Sequence, residues 1–359
     1  MTIRKNFLFG FLFFFVLFSL LVTLGSSQTY PGETWKIADN PEEYGFDSEK
    51  LEKAREHTDS IQTSAVVIAH KGVIIDEWGD VEGKFMTHSM RKSVLSALYG
   101  NYVKNGVIDM DKTMEDLGID DEDGLTDEEK QATIHDCIKA RSGVYHPALY
   151  ESQGMKDRKP ERHTMEAGTH WYYNNWDFNV LGTIFQEKTG KGIFEAIEEE
   201  IGDPIQMEDF EADDGWYVSG DESRHEAYPF RINARDLARF GLLMLRDGQW
   251  KDKQIIPEDW VEESTRYHSD AALYGVDGYG YMWWVARDNN KYPHLPSVDI
   301  PEGSYSARGA GGHMVLVIPE FDLVIIHRVD TDKDGHSVSK KNIGILADIV
   351  FEAMNVNAL

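Results

Sequence analysis

Ser89-Met90-Arg91-Lys92 places a hydroxyl and an amine three residues apart, so on a helix the two share a face within hydrogen-bond reach. That pairing suits nucleophilic catalysis, in which a deprotonated amine activates a serine towards a carbonyl. A serine at a helix N-terminus also sits among free backbone N–H groups and at the positive end of the helix dipole, both of which favour developing negative charge. The flanking Val94, Leu95, Ala97 and Leu98 predict a largely buried helix. Burial disfavours the charged form of Lys92 and makes it a base near neutral pH. The spacing alone is weak, because a serine and a lysine this far apart also make an ordinary helix start with a solvated lysine.

Two other segments supply what such a pair needs. Trp171-Tyr172-Tyr173-Asn174-Asn175-Trp176-Asp177-Phe178-Asn179 is aromatic yet crowded with amides. Tyr173 and Asn175 can point to one side of an extended or turning backbone, the phenol to relay a proton and the amide to steady Lys92 and a substrate carbonyl. By itself the segment reads as a core aromatic cluster, and Trp171, Trp176, Trp283 and Trp284 are either core or the walls of an apolar pocket. Ser304-Tyr305-Ser306-Ala307-Arg308-Gly309-Ala310-Gly311-Gly312-His313 joins two strands through a glycine-rich turn. A strand edge there can aim a backbone N–H at a substrate oxygen, completing an oxyanion hole with the N–H of Ser89. Glycines equally make a plain hairpin.

The elements that must position these residues follow from periodicity. Helices are expected over residues 47–60, from Ser89 to about Leu117, over the amphipathic 232–247, and over 339–354. Residues 64–69 and 73–78 flank His70-Lys71-Gly72 as a hairpin. Residues 278–286, 304–308, 313–318 and 323–328 read as short strands, and 109–253 as a mostly helical region. Strands at both ends with helices between them predict an α+β arrangement whose sheet is completed by distant segments, with the site at the seam.

Composition narrows the function classes. With 359 residues, 41% of them hydrophobic, the chain can bury one large core or two closely joined ones. Arg4 and Lys5 precede an apolar stretch of 18 residues, Phe7 to Leu24, followed by Gly25, Ser26 and Ser27. Residues 1–27 therefore read as a secretory signal, or as an N-terminal membrane anchor if uncleaved, with the body periplasmic or extracellular. Cys137 is the only cysteine, so no internal disulfide forms. A formal net charge of −27 argues against nucleic acid as a partner and against membrane contact other than through the N-terminal segment.

The 13 histidines form no H-E-x-x-H pattern, and no metal or organic cofactor is expected. Asp330, Asp332, Asp334 and Gly335 begin like a calcium loop, but Lys341 stands where the bidentate glutamate belongs. His313, at a strand start, reads as structural.

Ser89-Met90-Arg91-Lys92-Ser93 resembles the S-x-x-K box of the serine β-lactamase and penicillin-binding-protein superfamily, and residues 166–175 resemble the stretch ending in its Y-x-N box. The similarity runs in order through 140–144, 234–241, 279–284 and 318–320, roughly residues 40–350, and is nearest to class C β-lactamases, D-alanyl-D-alanine carboxypeptidases, β-lactamase-like esterases and nylon-oligomer hydrolases. The resemblance implies a β-lactamase/transpeptidase-like α+β domain over 28–359, its antiparallel sheet flanked by N- and C-terminal helices and interrupted by the helical region. It implies an acyl-enzyme on Ser89, proton transfer by Lys92 and Tyr173, and support from Asn175.

The departure is in the third box. Aligned on Ile318-Pro319, Ser304-Tyr305-Ser306 replaces the K-T-G of class C enzymes, which puts the second oxyanion N–H on Ala307. The lysine that would meet a β-lactam carboxylate is missing, although Arg308 can supply a charge. Ser304, Tyr305, Ser306, Arg308 and Trp176 become candidate substrate contacts. The expected activity is hydrolysis of ester or amide bonds in small, oligomeric or peptide-like substrates. The alternatives are a cell-wall D-alanyl peptidase or β-lactamase, and a non-catalytic binding protein of the same fold.

Overall fold

A computed structural model describes residues 28–276, 278–287 and 293–354. The apolar segment read as a signal or anchor lies outside them. Seven strands form the main sheet: β1 (Ala65–His70), β2 (Val73–Gly79), β3 (Gly278–Tyr279), β4 (Trp284–Val285), β5 (Tyr305–Gly309), β6 (His313–Ile318) and β7 (Leu323–Arg328). Their order is β2-β1-β7-β6-β5-β4-β3, antiparallel throughout. The β1–β2 hairpin turns on Lys71 and Gly72, both at positive φ (50° and 78°), as a two-residue hairpin loop requires. The two ends of the chain meet in the middle of the sheet, where Ala65 pairs with Arg328.

Five longer helices flank it: α1 (Ser48–Asp59), α2 (Met90–Lys104), α3 (Asn175–Thr189), α4 (Ala234–Leu245) and α5 (Lys340–Ala353). Side chains alternate across the strands, so each strand feeds two cores. Val66, Ile68, Leu316 and Ile325 pack with Leu51 and Ala54 of α1 and Ile343, Leu346 and Val350 of α5. Ala65, Val67, Val315, Val324 and Ile326 face the other way, onto the core shared with α2, α3 and α4. Asp47, Asn174, Asn233 and Ser339 cap α1, α3, α4 and α5 by accepting backbone N–H groups of the first turn.

The helix expected from Ser89 to about Leu117 is shorter. It ends at Lys104, where Asn105 is followed by Gly106 at φ 71°, and the single turn Met114–Leu117 starts afresh under its own Thr113 cap. Residues 278–286 are not one strand but two short ones folded back on each other around Met282, at φ 61°. The helical region also holds a hairpin, Val218–Gly220 with Ser223–Ala227, and its α4 packs directly on β1, β6 and β7.

Candidate active site

Every residue of α2 from Met90 to Gly100 is buried, as expected of a helix that runs through the core rather than over it. Ser89 precedes its first turn and is half-buried; its hydroxyl makes no capping bond and is left for other work. The residue before it, His88, is held at φ 46°, a region a side chain rarely occupies without an imposed constraint. The end of β5 presses on the same turn. A Cβ on Gly309 would lie 2.6 Å from the Thr87 carbonyl oxygen, so only glycine permits the approach.

One turn into α2, Lys92 Nζ donates to Ser89 Oγ at 2.9 Å and to Tyr173 OH at 2.9 Å. The three side chains singled out in the sequence thus meet, although Tyr173 lies 81 residues beyond Lys92. Nζ also rests 4.5 Å above the Tyr173 ring and 4.7 Å above that of Phe178. Burial pushes Lys92 far below its ordinary pKa, the nearby Arg91 charge adds to the effect, and the Glu151 carboxylate opposes it. Burial pushes Tyr173 up to about 12, against the hydrogen bond from Ser89 and the Arg91 charge. The two shifts run in opposite directions, favouring an uncharged amine next to an intact phenol, an arrangement suited to a base beside a proton relay.

Aromatic rings wall the triad. Tyr173 stacks on Trp284 with centroids 5.4 Å apart, and Tyr274 and Trp171 continue the wall. Trp283 and Trp176 do not belong to it. Trp176 is fully buried with its indole N–H on Asp121 (2.8 Å), so it is a core residue and not a substrate contact.

Asn175 also departs from expectation. It is already the first residue of α3, and its amide donates to the Tyr150 carbonyl (2.7 Å), not towards Lys92. Asn174 binds the Val144 carbonyl and Asn179 that of Leu149. These amides clamp the loop that carries Tyr150, itself at φ 66°.

The third segment is corrected by one residue. The Ala286 N–H donates to the Ser304 carbonyl, and the Gly309 carbonyl accepts from Gly312, so even-numbered residues of β5 turn their backbone groups towards β4 and odd-numbered ones towards β6. The N–H of Ala307 is thereby committed to Val315 and cannot serve an oxyanion. That of Arg308 faces the open edge, where the chain before β4 turns away at Met282 and gives its carbonyl to Ser93 of α2 (2.7 Å). Ser304 and Ser306 are wholly buried and Tyr305 packs edge-on against Trp283, so these three build the strand instead of lining a surface. The Arg308 guanidinium bonds Ser306 Oγ (2.7 Å) and the His294 carbonyl (2.8 Å) and lies over Trp284.

His313 is buried, accepts from Arg328 Nε at 3.0 Å, and is held far below an ordinary histidine pKa by burial. It is placed to orient Arg328. Asp332 pairs with Arg231 (2.7 Å) and Asp330 with Lys333 (3.0 Å). Sequence reasoning passed over His88, Arg91 and Glu151. The legible signal was two adjacent cations, Arg91 and Lys92, in a helix too apolar to solvate both.

A family model described as Beta-lactamase matches residues 49–347. An uncharacterized protein of Alkalihalophilus pseudofirmus is 22% identical over 312 residues, covering 78% of this chain and 88% of its own. Among solved structures, the fold is similar to that of a 6-aminohexanoate-dimer hydrolase homologue from Bacillus anthracis (TM-score 0.66, 19% identity, 93% of this chain and 91% of that one). It is also similar to EstCE1, a hydrolase with promiscuous acyltransferase activity (TM-score 0.59, 12% identity, 86% of this chain and 98% of that one). Ordered motifs, sheet topology and a family match over most of its length make this chain a member of the β-lactamase family, a hydrolase lineage with the fold of the serine β-lactamases and penicillin-binding proteins.

Proposed function

We propose that the protein is a serine hydrolase that cleaves ester or amide bonds of small or oligomeric substrates through an acyl-enzyme. The observation that carries this reading is one buried amine, Lys92 Nζ, at 2.9 Å from both Ser89 Oγ and Tyr173 OH. Lys92 takes the Ser89 proton as Oγ bonds to the substrate carbonyl carbon, and the negative charge moves onto the carbonyl oxygen. The N–H groups of Ser89 and Arg308 receive that charge. When the tetrahedral intermediate collapses, the bond to the leaving alcohol or amine breaks, and the leaving group collects the proton from Lys92 by way of Tyr173. Water then adds to the ester, gives its proton to Lys92, and releases the acid as Ser89 recovers its hydrogen. These steps call on no cofactor.

The third box favours ester or amide substrates over β-lactams. In the corrected register the box is Tyr305-Ser306-Ala307, all buried, and none of the three brings a cation to meet a lactam carboxylate. The names of the structural neighbours, a nylon-oligomer hydrolase homologue and a promiscuous hydrolase, point the same way. The aromatic wall of Tyr173, Trp284 and Tyr274 suits an apolar acyl or alcohol portion. In the same reading residues 1–27 direct export, which the mass of the secreted protein tests.

Incubation with a fluorophosphonate and with a fluorescent penicillin, beside Ser89→Ala, tests the proposal. Ser89-dependent labelling by the phosphonate alone is expected. Labelling by both makes the protein a peptidase or β-lactamase, and labelling by neither makes it a non-catalytic relative.

A further inference from the structure

Arg91 is the one charged residue of the S-x-x-K turn that the proposed chemistry leaves unused, and its surroundings are unusual. Its side chain is 1% exposed, yet no carboxylate of a described residue lies within ion-pairing distance of it. The guanidinium sits between two phenol rings, 4.9 Å from Tyr228 and 5.3 Å from Tyr150. Its hydrogen bonds go to neutral oxygens, the His88 carbonyl and Asn179 Oδ1, both at 3.3 Å. A buried cation compensated only by rings and carbonyls costs stability, and a neutral residue of similar shape would avoid that cost.

The two contacts fall where the site needs them. The His88 carbonyl belongs to the strained residue just before the nucleophile, so its bond to Arg91 helps hold that backbone. The charge is carried by the residue next to Lys92 on the same helical turn, and a neighbouring positive charge disfavours protonation of the amine.

We propose that Arg91 is the positioning residue of this site: a buried guanidinium without a carboxylate partner that fixes the turn before Ser89 and sets a permanent positive charge next to the general base Lys92. Lys92 is faced by Ser89, Tyr173 and Phe178, with Glu151 acting on it from the clamped loop. The Ser89 and Tyr173 oxygens, the Tyr173 and Phe178 ring faces and the Glu151 carboxylate favour the ammonium, burial and Arg91 oppose it, and one Glu151 oxygen is engaged by Lys159 at 2.7 Å. Arg91 is faced by Tyr150, Tyr228, His88 and Asn179.

The test titrates Lys92 directly, by NMR of protein labelled with carbon-13 lysine, in the full exported chain. Two substitutions cancel the charge by different routes. Arg91→Met removes it with an apolar chain, and Arg91→Gln removes it with an amide that can still donate a hydrogen bond. Both are expected to raise the Lys92 midpoint by about one pH unit or more, and Arg91→Lys to leave it close to wild type. The acid limb of p-nitrophenyl acetate hydrolysis should move up with it. An unmoved midpoint in either folded variant overturns the proposal, and Arg91→Gln carries the test if Arg91→Met does not fold. The inference rests on the reading of Ser89 and Lys92 given above, and the two fail differently. Loss of Ser89-dependent phosphonate labelling in the wild type sinks the hydrolase reading and this role with it, whereas an unmoved midpoint sinks the role of Arg91 alone.

Discussion

The first turn of α2 and the end of β5 meet at the same site but contribute different things. The helix brings side chains: a hydroxyl, and an amine held by two hydrogen bonds in a buried place. The strand brings backbone, an N–H at an edge left open where its neighbour turns off at Met282. Substitution therefore has opposite consequences in the two regions. In the helix the residue type is everything, since no other side chain combines the reach of lysine with a displaced pKa. In the strand the type matters little and the register matters absolutely, because one residue of slip turns the donor into the sheet. That difference explains how Tyr305-Ser306-Ala307, in the register set by the Arg308 N–H, can stand where related enzymes carry K-T-G without dismantling the site.

The largest effect belongs to the helix. Lys92→Met should lower the acylation rate by about a thousandfold or more, with the thermal midpoint unchanged or raised, because a buried amine is replaced by an apolar chain of similar length. In the wild type, acylation needs neutral Lys92, so the rate should fall as pH drops through its pKa. Because burial and Arg91 lower that pKa, the fall should come far on the acid side of an ordinary lysine. Stopped-flow acylation against pH measures it. A limb at the usual lysine position would mean that the amine is solvated and that the helix contributes no more than the strand does.

The strand is tested by proline, which deletes an N–H. Arg308→Pro should cost about a hundredfold to a thousandfold in acylation while the protein still melts cooperatively, since edge positions tolerate proline. Arg308→Ala keeps the N–H and should stay within about tenfold of wild type. Ala307→Pro removes a donor committed to β6 and should unfold the sheet or lower its stability by about 3 kcal/mol or more. If Ala307→Pro folds and loses only activity, the assignment of the two N–H groups is reversed.

The same contrast decides what the amino-acid sequence reveals. The Ser89–Lys92 pairing is legible because helical spacing is local, and the strands at 313–318 and 323–328 are legible because burial on both faces writes an unbroken apolar run. Ala307 was placed by counting back from Ile318, which ignores how the Gly311–Gly312 turn and the short pairing with β4 set the alternation of sides. Two-residue spacing puts Tyr173 and Asn175 on one side of an extended or turning backbone, yet Asn174 caps a helix there and sends the Asn175 and Trp176 side chains to Tyr150 and Asp121. The break of α2 after Lys104 was written in Asn105-Gly106 and obscured by the apolar residues that follow. The unpaired state of Arg91 depends on which groups arrive from other elements, and no local pattern encodes that.

A smaller effect is expected at Tyr173, which serves the helix but is delivered from another element. Tyr173→Phe should lower acylation by about a hundredfold, because Lys92 keeps its bond to Ser89 and loses only the relay. The loss should be greater for substrates with poor leaving groups, which need the relayed proton most. Equal losses for an activated and an unactivated ester would reduce the phenol to a packing ring against Trp284.

The smallest catalytic effect should come from Asn175, and it separates a clamp from a catalyst. Its amide donates to the Tyr150 carbonyl and more weakly to that of Leu149 while Oδ1 is buried without a partner, so Asn175→Ala deletes two hydrogen bonds and one unsatisfied acceptor together. The two changes partly offset, and the stability loss should be about 1 kcal/mol, read from chemical denaturation. Tyr150 sits at φ 66° with its carbonyl on that amide, so the loop should loosen and KM should rise by a few-fold with kcat nearly constant. A collapse of kcat approaching that of Lys92→Met would show that the amide acts on the lysine after all, and the site would then draw its chemistry from α3 as much as from α2.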